Sequence, residues 1–269
     1  HLFHGIHDPE TVRAGVTWAP VNARNALEEN LYILNNTDVE VLFYHSSFEA
    51  YLPRIREACS AIREFICIDR PSFEVWLADQ DPLAPDLPEA PDDVAFLQYT
   101  GGTTGVAKGA MLTHRSITSN MLQTHAFLST ALEAGRETMV CPLPLYHIFA
   151  FGVSCIGMIM GMHTILITNP RDVGAFISEI KKWDVTAMMG LNTLFVALMN
   201  HPDFKTIDFS KLKMTIAGGM AMQHQVANDW EAITGCKVCE GYGMTESSPV
   251  ITMNPPTAIQ IGTIGIPAP

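Results

Sequence analysis

Short β-rich runs alternate with helical patterns along most of this chain, and this alternation restricts the fold more than any other feature. The runs VEVLFY, FICI and VAFLQY predict buried strands, and TILIT, DVTAMMG, LKMTIAGG and KVCEGYG repeat the pattern further along. Helical segments such as DVGAFISEIKKW and QHQVANDWEAI separate them. Strands that alternate with helices form βαβ units, which predicts an α/β fold with a mostly parallel sheet covered by helices.

Three segments need separate treatment. Residues 48–62 predict a helix around Pro53. Residues 69–93 are rich in proline and acidic side chains, which predicts a linker or surface loop. The apolar run 147–168 contains two histidines and three glycines, so we expect a buried helix over 148–160 followed by a strand rather than a membrane span. A domain boundary is predicted between residues 91 and 92.

Charge and cysteine content exclude some classes of function. The formal net charge of −12 argues against broad nucleic-acid binding, which needs a basic surface. It leaves room for a small anionic ligand held by a local site. The 6 cysteines lack the spacing of a disulfide scaffold, so we expect reduced thiols and a cytoplasmic location.

The segment YTGGTTGVAKG follows directly on the predicted strand VAFLQ. Glycines allow a tight turn and close approach to a ligand, backbone N–H groups and threonine hydroxyls donate hydrogen bonds, and a lysine adds positive charge. Such a set of donors fits a polyphosphate, although the segment is not a Walker loop, because Ala107 stands where that pattern has glycine. The candidate ligand-binding residues are Thr100, Gly101, Gly102, Thr103, Thr104, Gly105 and Lys108.

YTGGTTGVAKGAMLTH resembles the signature loop of the adenylate-forming enzymes, which comprise acyl-CoA synthetases, luciferases and peptide-synthetase adenylation domains. Further segments match that family in order and spacing: PLPLYHIFA, ITNPRD, LNTLF, AGGM, EGYGMTE and GTIGIPAP. The resemblance runs from about residue 92 to the end, and is weaker before residue 70. Within the family, the bacterial long-chain fatty-acid–CoA ligases match best, although the stretch from Asp69 to Asp92 is shorter than theirs.

The resemblance implies both a reaction and a fold. A fatty-acid carboxylate attacks the α-phosphorus of ATP to give an acyl-adenylate and pyrophosphate, and coenzyme A then displaces AMP. The implied fold is a layered αβαβα arrangement of mostly parallel sheets. Residues 1–91 then form part of an N-terminal subdomain, and residues 92–269 form the nucleotide- and acyl-binding subdomain.

The resemblance also implies roles for individual residues. The segment Thr100–Lys108 holds the β- and γ-phosphates, and Glu246 binds Mg²⁺, a hard cation that prefers oxygen ligands. Thr245 bonds the α-phosphate, and Tyr242 stacks on adenine. His147 lies beside the acyl carboxylate. The further nucleotide-binding residues are Gly218, Gly219, Gly241 and Gly243, and the candidate catalytic residues are His147, Thr245 and Lys108.

Several alternatives stay open at this point. The protein is a ligase for a long-chain fatty acid or, as the second interpretation, an adenylating enzyme for a medium-chain or aryl acid. A non-catalytic nucleotide-binding module is the third interpretation. Apolar residues of helix 148–160 either line an acyl channel or form ordinary core. A catalytic lysine on a C-terminal domain is expected beyond Pro269, so this chain is expected not to complete the reaction alone. Peripheral membrane contact and a homodimer are both left open.

Overall fold

The computed structural model describes residues 15–81, 90–101 and 106–269. The chain divides into two compact units, His1–Arg115 and Ser116–Pro269, each of which is described by itself. The prediction of a boundary between residues 91 and 92 stays a prediction.

The first unit contains a parallel strand pair and an antiparallel hairpin. Strand β1 pairs with β2 in parallel, and β3 pairs with β4 in antiparallel orientation. Leu42 of β1 is almost fully buried against Leu31, Leu34 and Ile55 of two helices. The described elements are α1 (Leu27–Asn36), β1 (Val41–Tyr44), a 3₁₀ helix (Ser46–Tyr51), α2 (Leu52–Ala58), β2 (Glu64–Cys67), α3 (Pro71–Ala78), β3 (Val94–Thr100) and β4 (Lys108–Thr113).

The predicted helix over 48–62 is shorter in the structure. Residues Ser46–Tyr51 form a 3₁₀ helix, and the α-helix starts only at Leu52 and ends at Ala58. Pro53 has no N–H group, so it cannot donate an α-helical hydrogen bond back to the carbonyl four residues earlier. The proline therefore fits the first turn of a helix rather than its middle.

The predicted linker 69–93 contains a helix, α3. Pro71 occupies its first turn, where a missing N–H group costs nothing. The Phe73 and Trp76 rings stack with centroids 5.9 Å apart, and Trp76 also meets Phe43 edge-on at 6.0 Å. Phe73 and Trp76 lie one helical turn apart, and their ring contacts stabilise this helix. The high proline content of the surrounding sequence had indicated a loop instead. Residues 82–89 lie outside the described residues.

The second unit is built on a mixed sheet with the strand order β11-β10-β9-β8-β7-β5-β6. Strands β5 to β9 pair in parallel, whereas β10 and β11 add antiparallel strands at one edge. The strands are β5 (Thr138–Cys141), β6 (His163–Leu166), β7 (Ala187–Gly190), β8 (Met214–Ala217), β9 (Val238–Gly243), β10 (Val250–Met253) and β11 (Ile266–Pro267). The helices are α4 (His114–Leu128), α5 (Ile148–Ile159), α6 (Val173–Ile180), α7 (Asn192–Met199) and α8 (His224–Thr234).

The central strands β7 and β8 are buried throughout, which explains why their sequences are continuous apolar runs rather than alternating ones. Helices α6, α7 and α8 cover one face and contribute Phe176, Phe195 and Trp230 to its core. The side chain of Asp172 caps α6, as predicted, by accepting a hydrogen bond from the Ala175 N–H. The predicted α/β fold with a mostly parallel sheet is confirmed.

The apolar run 147–168 divides as predicted into helix α5 and strand β6. Strand β6 pairs in parallel with β5 and forms one edge of the sheet. Ile148, Val153 and Ile156 of α5 are buried, whereas Met158 is exposed. Within the part of the chain that the structure describes, no helix combines the length and the apolar character needed to cross a bilayer.

An ion pair between a buried carboxylate and a partly exposed lysine ties together the amino ends of strands β5 and β8. The Glu137 carboxylate directly precedes β5 and is buried, and its Oε1 accepts hydrogen bonds from Lys213 Nζ at 2.7 Å and from the Glu133 N–H at 2.7 Å. Lys213 directly precedes β8 and stays partly exposed. Ligand sites in such sheets lie at the opposite, carboxyl end, so this pair serves stability.

This pair should make stability depend on pH. Burial by itself would raise the pKa of Glu137, but the hydrogen bonds, led by that from Lys213, lower the pKa below its ordinary value. A lowered carboxyl pKa stabilises the fold above the unfolded value of about 4.3, and this contribution is lost as pH falls through the lower folded pKa. We expect Glu137→Gln to cost about 2 kcal/mol at pH 7 and clearly less near pH 3, measured from urea unfolding midpoints.

The control for that experiment is Glu179→Gln. Glu179 bonds Lys182 in an exposed ion pair, which stabilises folded proteins little. Its substitution should therefore change stability little at either pH. A Glu137→Gln protein that loses the same stability at pH 7 and pH 3 would contradict the assignment.

Candidate functional site

The strand order of the second unit creates a switch point beside β5. This strand has β6 on one side and β7 on the other, so the strands that follow it in sequence are added on opposite sides of it. In open α/β sheets, ligands bind outside the carboxyl ends of the strands at such a point. The segments that follow β5, β7 and β8 carry His147, Leu191 and Gly218. The topology therefore brings the predicted site residues His147 and Gly218 toward the same edge of the sheet.

His147 caps helix α5. Its Nδ1 accepts a hydrogen bond from the Phe149 N–H at 3.3 Å, and its own backbone N–H donates to the Pro144 carbonyl at 3.0 Å. The residue is exposed to solvent, yet surrounding protein atoms desolvate the ring and lower the pKa of His147. A neutral ring whose Nδ1 accepts must carry its proton on Nε2. His147 therefore offers a hydrogen-bond donor.

The predicted glycine segment after β8 contacts the start of α5. A side chain at the buried Gly218 would lie 3.3 Å from the Phe149 ring, and Phe149 is two residues from His147. Gly219 is exposed and has a φ of +76°, a backbone conformation that favours glycine. The structure thus brings the His147 segment and the Gly218 segment together, and the need for two glycines has a structural cause.

The glycines of EGYGMTE also have structural causes. Gly241 and Gly243 lie at the end of β9, opposite β10. A Cβ atom at Gly241 would lie 3.2 Å from the Thr252 carbonyl oxygen, and one at Gly243 would lie 2.3 Å from the Pro249 carbonyl oxygen. Between them, the Tyr242 side chain is 46% exposed and offers a ring face to a ligand.

Thr245 and Glu246 lie on a short 3₁₀ turn that follows β9. The turn spans Thr245–Ser247, and Ser247 Oγ donates to the Met244 carbonyl at 2.8 Å. Glu246 is exposed, and no other described residue forms a hydrogen bond or an ion pair with its carboxylate. A carboxylate that is held on a defined turn and has no partner in the described part of the chain is available to a cation.

In the first unit, the candidate phosphate-binding segment joins β3 to β4. Thr100 is paired with Lys108 across the hairpin, and Lys108 is exposed. The Tyr99 ring covers Gly109, where a Cβ atom would lie 3.1 Å from the ring. Gly101 is exposed with open space around it. Gly102, Thr103, Thr104 and Gly105 lie outside the described residues, so a site shared by this segment and Glu246 stays a prediction.

Two residues beside the site were not predicted. Asn192 begins helix α7, and its Oδ1 accepts from the Gln223 N–H at 3.1 Å, which links the segments after β7 and β8. Glu240 is buried, and its Oε1 accepts from the Met222 N–H at 2.9 Å. Their signal in the sequence is position: Asn192 belongs to the LNTLF motif, and Glu240 is a charged residue inside an otherwise apolar strand.

Comparison with known proteins gives matches over nearly the whole chain. A family model described as AMP-binding enzyme matches residues 11–269. A long-chain-fatty-acid–CoA ligase of Yersinia pestis is 50% identical over 179 residues, which make up 66% of this chain and 32% of that protein. A feruloyl-CoA synthase of Amycolatopsis sp is 31% identical over 258 residues, or 95% of this chain and 50% of that protein.

A solved structure also matches nearly the whole chain. ATP-bound MatB from Rhodopseudomonas palustris is 27% identical with a TM-score of 0.82, and the match covers 96% of this chain and 51% of that chain. The chain thus spans 32% to 51% of the length of these relatives. The family model covers all but the first ten positions, and the fold and motif order agree with it. The chain belongs to the AMP-binding enzyme family.

Proposed function

We propose that the protein containing this chain is an ATP-dependent ligase. It would activate a long-chain fatty acid as an acyl-adenylate, release pyrophosphate, and transfer the acyl group to coenzyme A. The observation that carries the proposal is the turn Thr245–Ser247, which follows the carboxyl end of β9 and presents the exposed Glu246 carboxylate with no partner among the described residues. Family membership supports the same reaction.

The turn supplies groups suited to a magnesium nucleotide. Mg²⁺ is usually held by one or two carboxylates together with substrate phosphates and water, so the exposed carboxylate of Glu246 fits this ion. When bound, the ion neutralises charge on the phosphates. The Thr245 hydroxyl would donate to the α-phosphate, and the exposed Tyr242 ring would stack on adenine. Gly241 and Gly243 keep the backbone of this segment close to β10.

The hairpin of the first unit would hold the rest of the triphosphate. We assign the β- and γ-phosphates to the segment from Thr100 to Lys108, in which hydroxyl and backbone donors accompany one ammonium group. Pre-placed donors stabilise the charge that develops as pyrophosphate leaves. The residues of this segment are Thr100, Gly101, Gly102, Thr103, Thr104, Gly105 and Lys108.

His147 would orient the acid. Its neutral ring carries a proton on Nε2, which can donate to a carboxylate oxygen without neutralising the nucleophile. Gly218 and Gly219, packed beside the same helix start, would let the backbone approach the nucleotide or the acid carboxylate. Helix α5 contributes Ile148, Val153 and Ile156 to the core, and an acyl contact would fall to the exposed Met158 near its carboxyl end.

The choice of a long-chain substrate is supported by the higher identity. The chain is 50% identical to a long-chain ligase but 31% identical to a feruloyl-CoA synthase. The aryl acid is the second candidate, because the feruloyl-CoA synthase match extends over 95% of this chain. Coenzyme A as acyl acceptor, a cytoplasmic location, peripheral membrane contact and a homodimer remain predictions for the whole protein.

Adenylation of a panel of acids tests the proposal. The natural polypeptide that contains this chain would be incubated with Mg²⁺, ATP and hexadecanoic, octanoic or ferulic acid, and acid-dependent ATP–pyrophosphate exchange measured. We expect hexadecanoic acid to give the highest kcat/KM, by about tenfold or more, because each buried CH₂ contributes about 0.8 kcal/mol. Preference for ferulic acid would move the assignment to aryl acids. ATP binding without exchange on any acid would favour a non-catalytic module.

A further inference from the structure

The turn that carries Glu246 is held from one side by helix α4, whose residues after His114 belong to none of the recognised motifs. Asn120 of α4 is buried, and its carboxamide bonds both backbone groups of Val250, the first residue of β10. Its Nδ2 donates to the Val250 carbonyl at 2.7 Å, and its Oδ1 accepts from the Val250 N–H at 3.0 Å. One side chain thus imitates the backbone of a neighbouring strand.

These backbone groups are available to Asn120 because Val250 and Gly243 form a non-hydrogen-bonded pair of the antiparallel ladder, in which the Val250 backbone groups point away from β9. The register of β9 and β10 shifts between Val250 and Thr252. On the β9 side, the Met244 N–H donates to the Pro249 carbonyl at 3.0 Å, so the bonds between the strands flank Val250 rather than use it. Without the carboxamide, an N–H and a carbonyl would lose their partner, which destabilises that position.

A second contact from the same helix face reinforces the first. Ser116 lies four residues before Asn120, on the same side of α4, and its Oγ is 3.0 Å from Ser248 Oγ. Ser248 is buried and has a φ of +72°, a left-handed conformation that needs support in a residue other than glycine. Helix α5 packs on the next residue, since a Cβ atom at Gly152 would lie 3.2 Å from Pro249.

The segment Ser248–Val250, which α4 and α5 contact, closes the loop that carries the proposed magnesium ligand. The Met244–Pro249 hydrogen bond joins the ends of a six-residue loop, and Thr245 and Glu246 lie inside it. Within that loop Glu246 is exposed and Thr245 is half-buried, whereas Ser248 and Pro249 at its base are buried. The position of the exposed carboxylate therefore depends on how firmly the base is held.

We infer that Asn120 is a positioning residue for Glu246 and Thr245, acting through Val250. The inference rests on the proposed function, because it assigns Asn120 to the placement of the turn that binds the magnesium nucleotide. A misplacement of about 1 Å at such a site can cost about a hundredfold in rate. Asn120 itself touches neither substrate nor metal in this assignment.

Steady-state kinetics of Asn120→Ala in the natural polypeptide test this inference. We expect the KM for Mg·ATP to rise and kcat to fall, lowering kcat/KM for Mg·ATP by about tenfold to a hundredfold, while the KM for the fatty acid stays unchanged. Thr124→Ala is the matched control: Thr124 is buried one turn further along α4, and among the described residues its hydroxyl bonds the helix carbonyl of Asn120 alone. It should lower the melting temperature without altering either KM.

Asn120→Asp covers the case in which Asn120→Ala does not fold. The aspartate keeps the volume and the acceptor for the Val250 N–H, but places an oxygen against the Val250 carbonyl. Asn120 variants with an unchanged KM for Mg·ATP, or with the same melting temperature and KM values as Thr124→Ala, would overturn this inference but not the proposed function. An unsubstituted protein that shows no acid-dependent exchange overturns the proposed function, which is a different and separately visible result.

Discussion

Glu246→Gln is expected to reduce acid-dependent ATP–pyrophosphate exchange by on the order of 10²–10³-fold. The substitution keeps the size and polarity of an exposed side chain but removes the charge that would bind Mg²⁺. Because no described residue pairs with this carboxylate, folding should not depend on it. The melting temperature should therefore stay within the error of the unsubstituted protein, and raised Mg²⁺ should restore part of the lost rate.

Glu74→Gln is the matched control for that experiment. Glu74 is also exposed and lies on helix α3, in the first unit, away from every recognised motif. It removes the same charge from the same acidic protein, so any general effect of net charge on nucleotide binding appears in both variants. Equal activity of the two variants would remove Glu246 from the proposed magnesium site.

Much of the second unit could be predicted because local pattern and tertiary environment agree there. The apolar runs of β7 and β8 are buried on both faces, so every position carries the same signal. Asp172 stands in a capping position that its side chain can satisfy locally. Such features depend on neighbours within four residues, and a sequence displays them directly.

The features that were missed depend on contacts between distant residues. Helix α3 is fixed by the contact of Trp76 with Phe43, 33 positions earlier, within a stretch whose prolines suggested a loop. Asn120 meets Val250 at a separation of 130 residues, and an isolated asparagine in a helical pattern carries no sign of that partner. Pairings of this kind follow from strand order, which sequence patterns do not specify.

The candidate site likewise combines features that the sequence predicted with contacts that it did not predict. The motifs indicated the candidate site residues, and they included Gly218, Gly241 and Gly243 as nucleotide-binding residues. The structure gives Gly218, Gly241 and Gly243 neighbours within the protein: the Phe149 ring, the Thr252 carbonyl and the Pro249 carbonyl. Close packing against these protein atoms therefore explains the three glycines without a ligand.

Gly243→Ala is expected to destabilise the fold by about 2–3 kcal/mol. An added Cβ would lie 2.3 Å from the Pro249 carbonyl oxygen, a backbone atom that cannot rotate away as a side chain could. Relief requires β9 and β10 to separate where the Met244–Pro249 hydrogen bond closes the Glu246 loop. The melting temperature should fall by roughly 5–10 °C, and exchange activity should fall with it even at temperatures where the protein stays folded.

Gly174→Ala is the comparison that isolates this crowding. Gly174 lies near the start of helix α6, and the nearest atoms to an added Cβ are 3.8 Å away, an ordinary contact. Alanine favours the helix over glycine, so stability should be unchanged or rise by about 0.5 kcal/mol. Gly243→Ala with a wild-type melting temperature and reduced nucleotide affinity would instead mean that a ligand, not the Pro249 carbonyl, requires the glycine. Because β9 and β10 carry both Tyr242 and the Glu246 turn, this pair of variants separates the packing of the site from its chemistry.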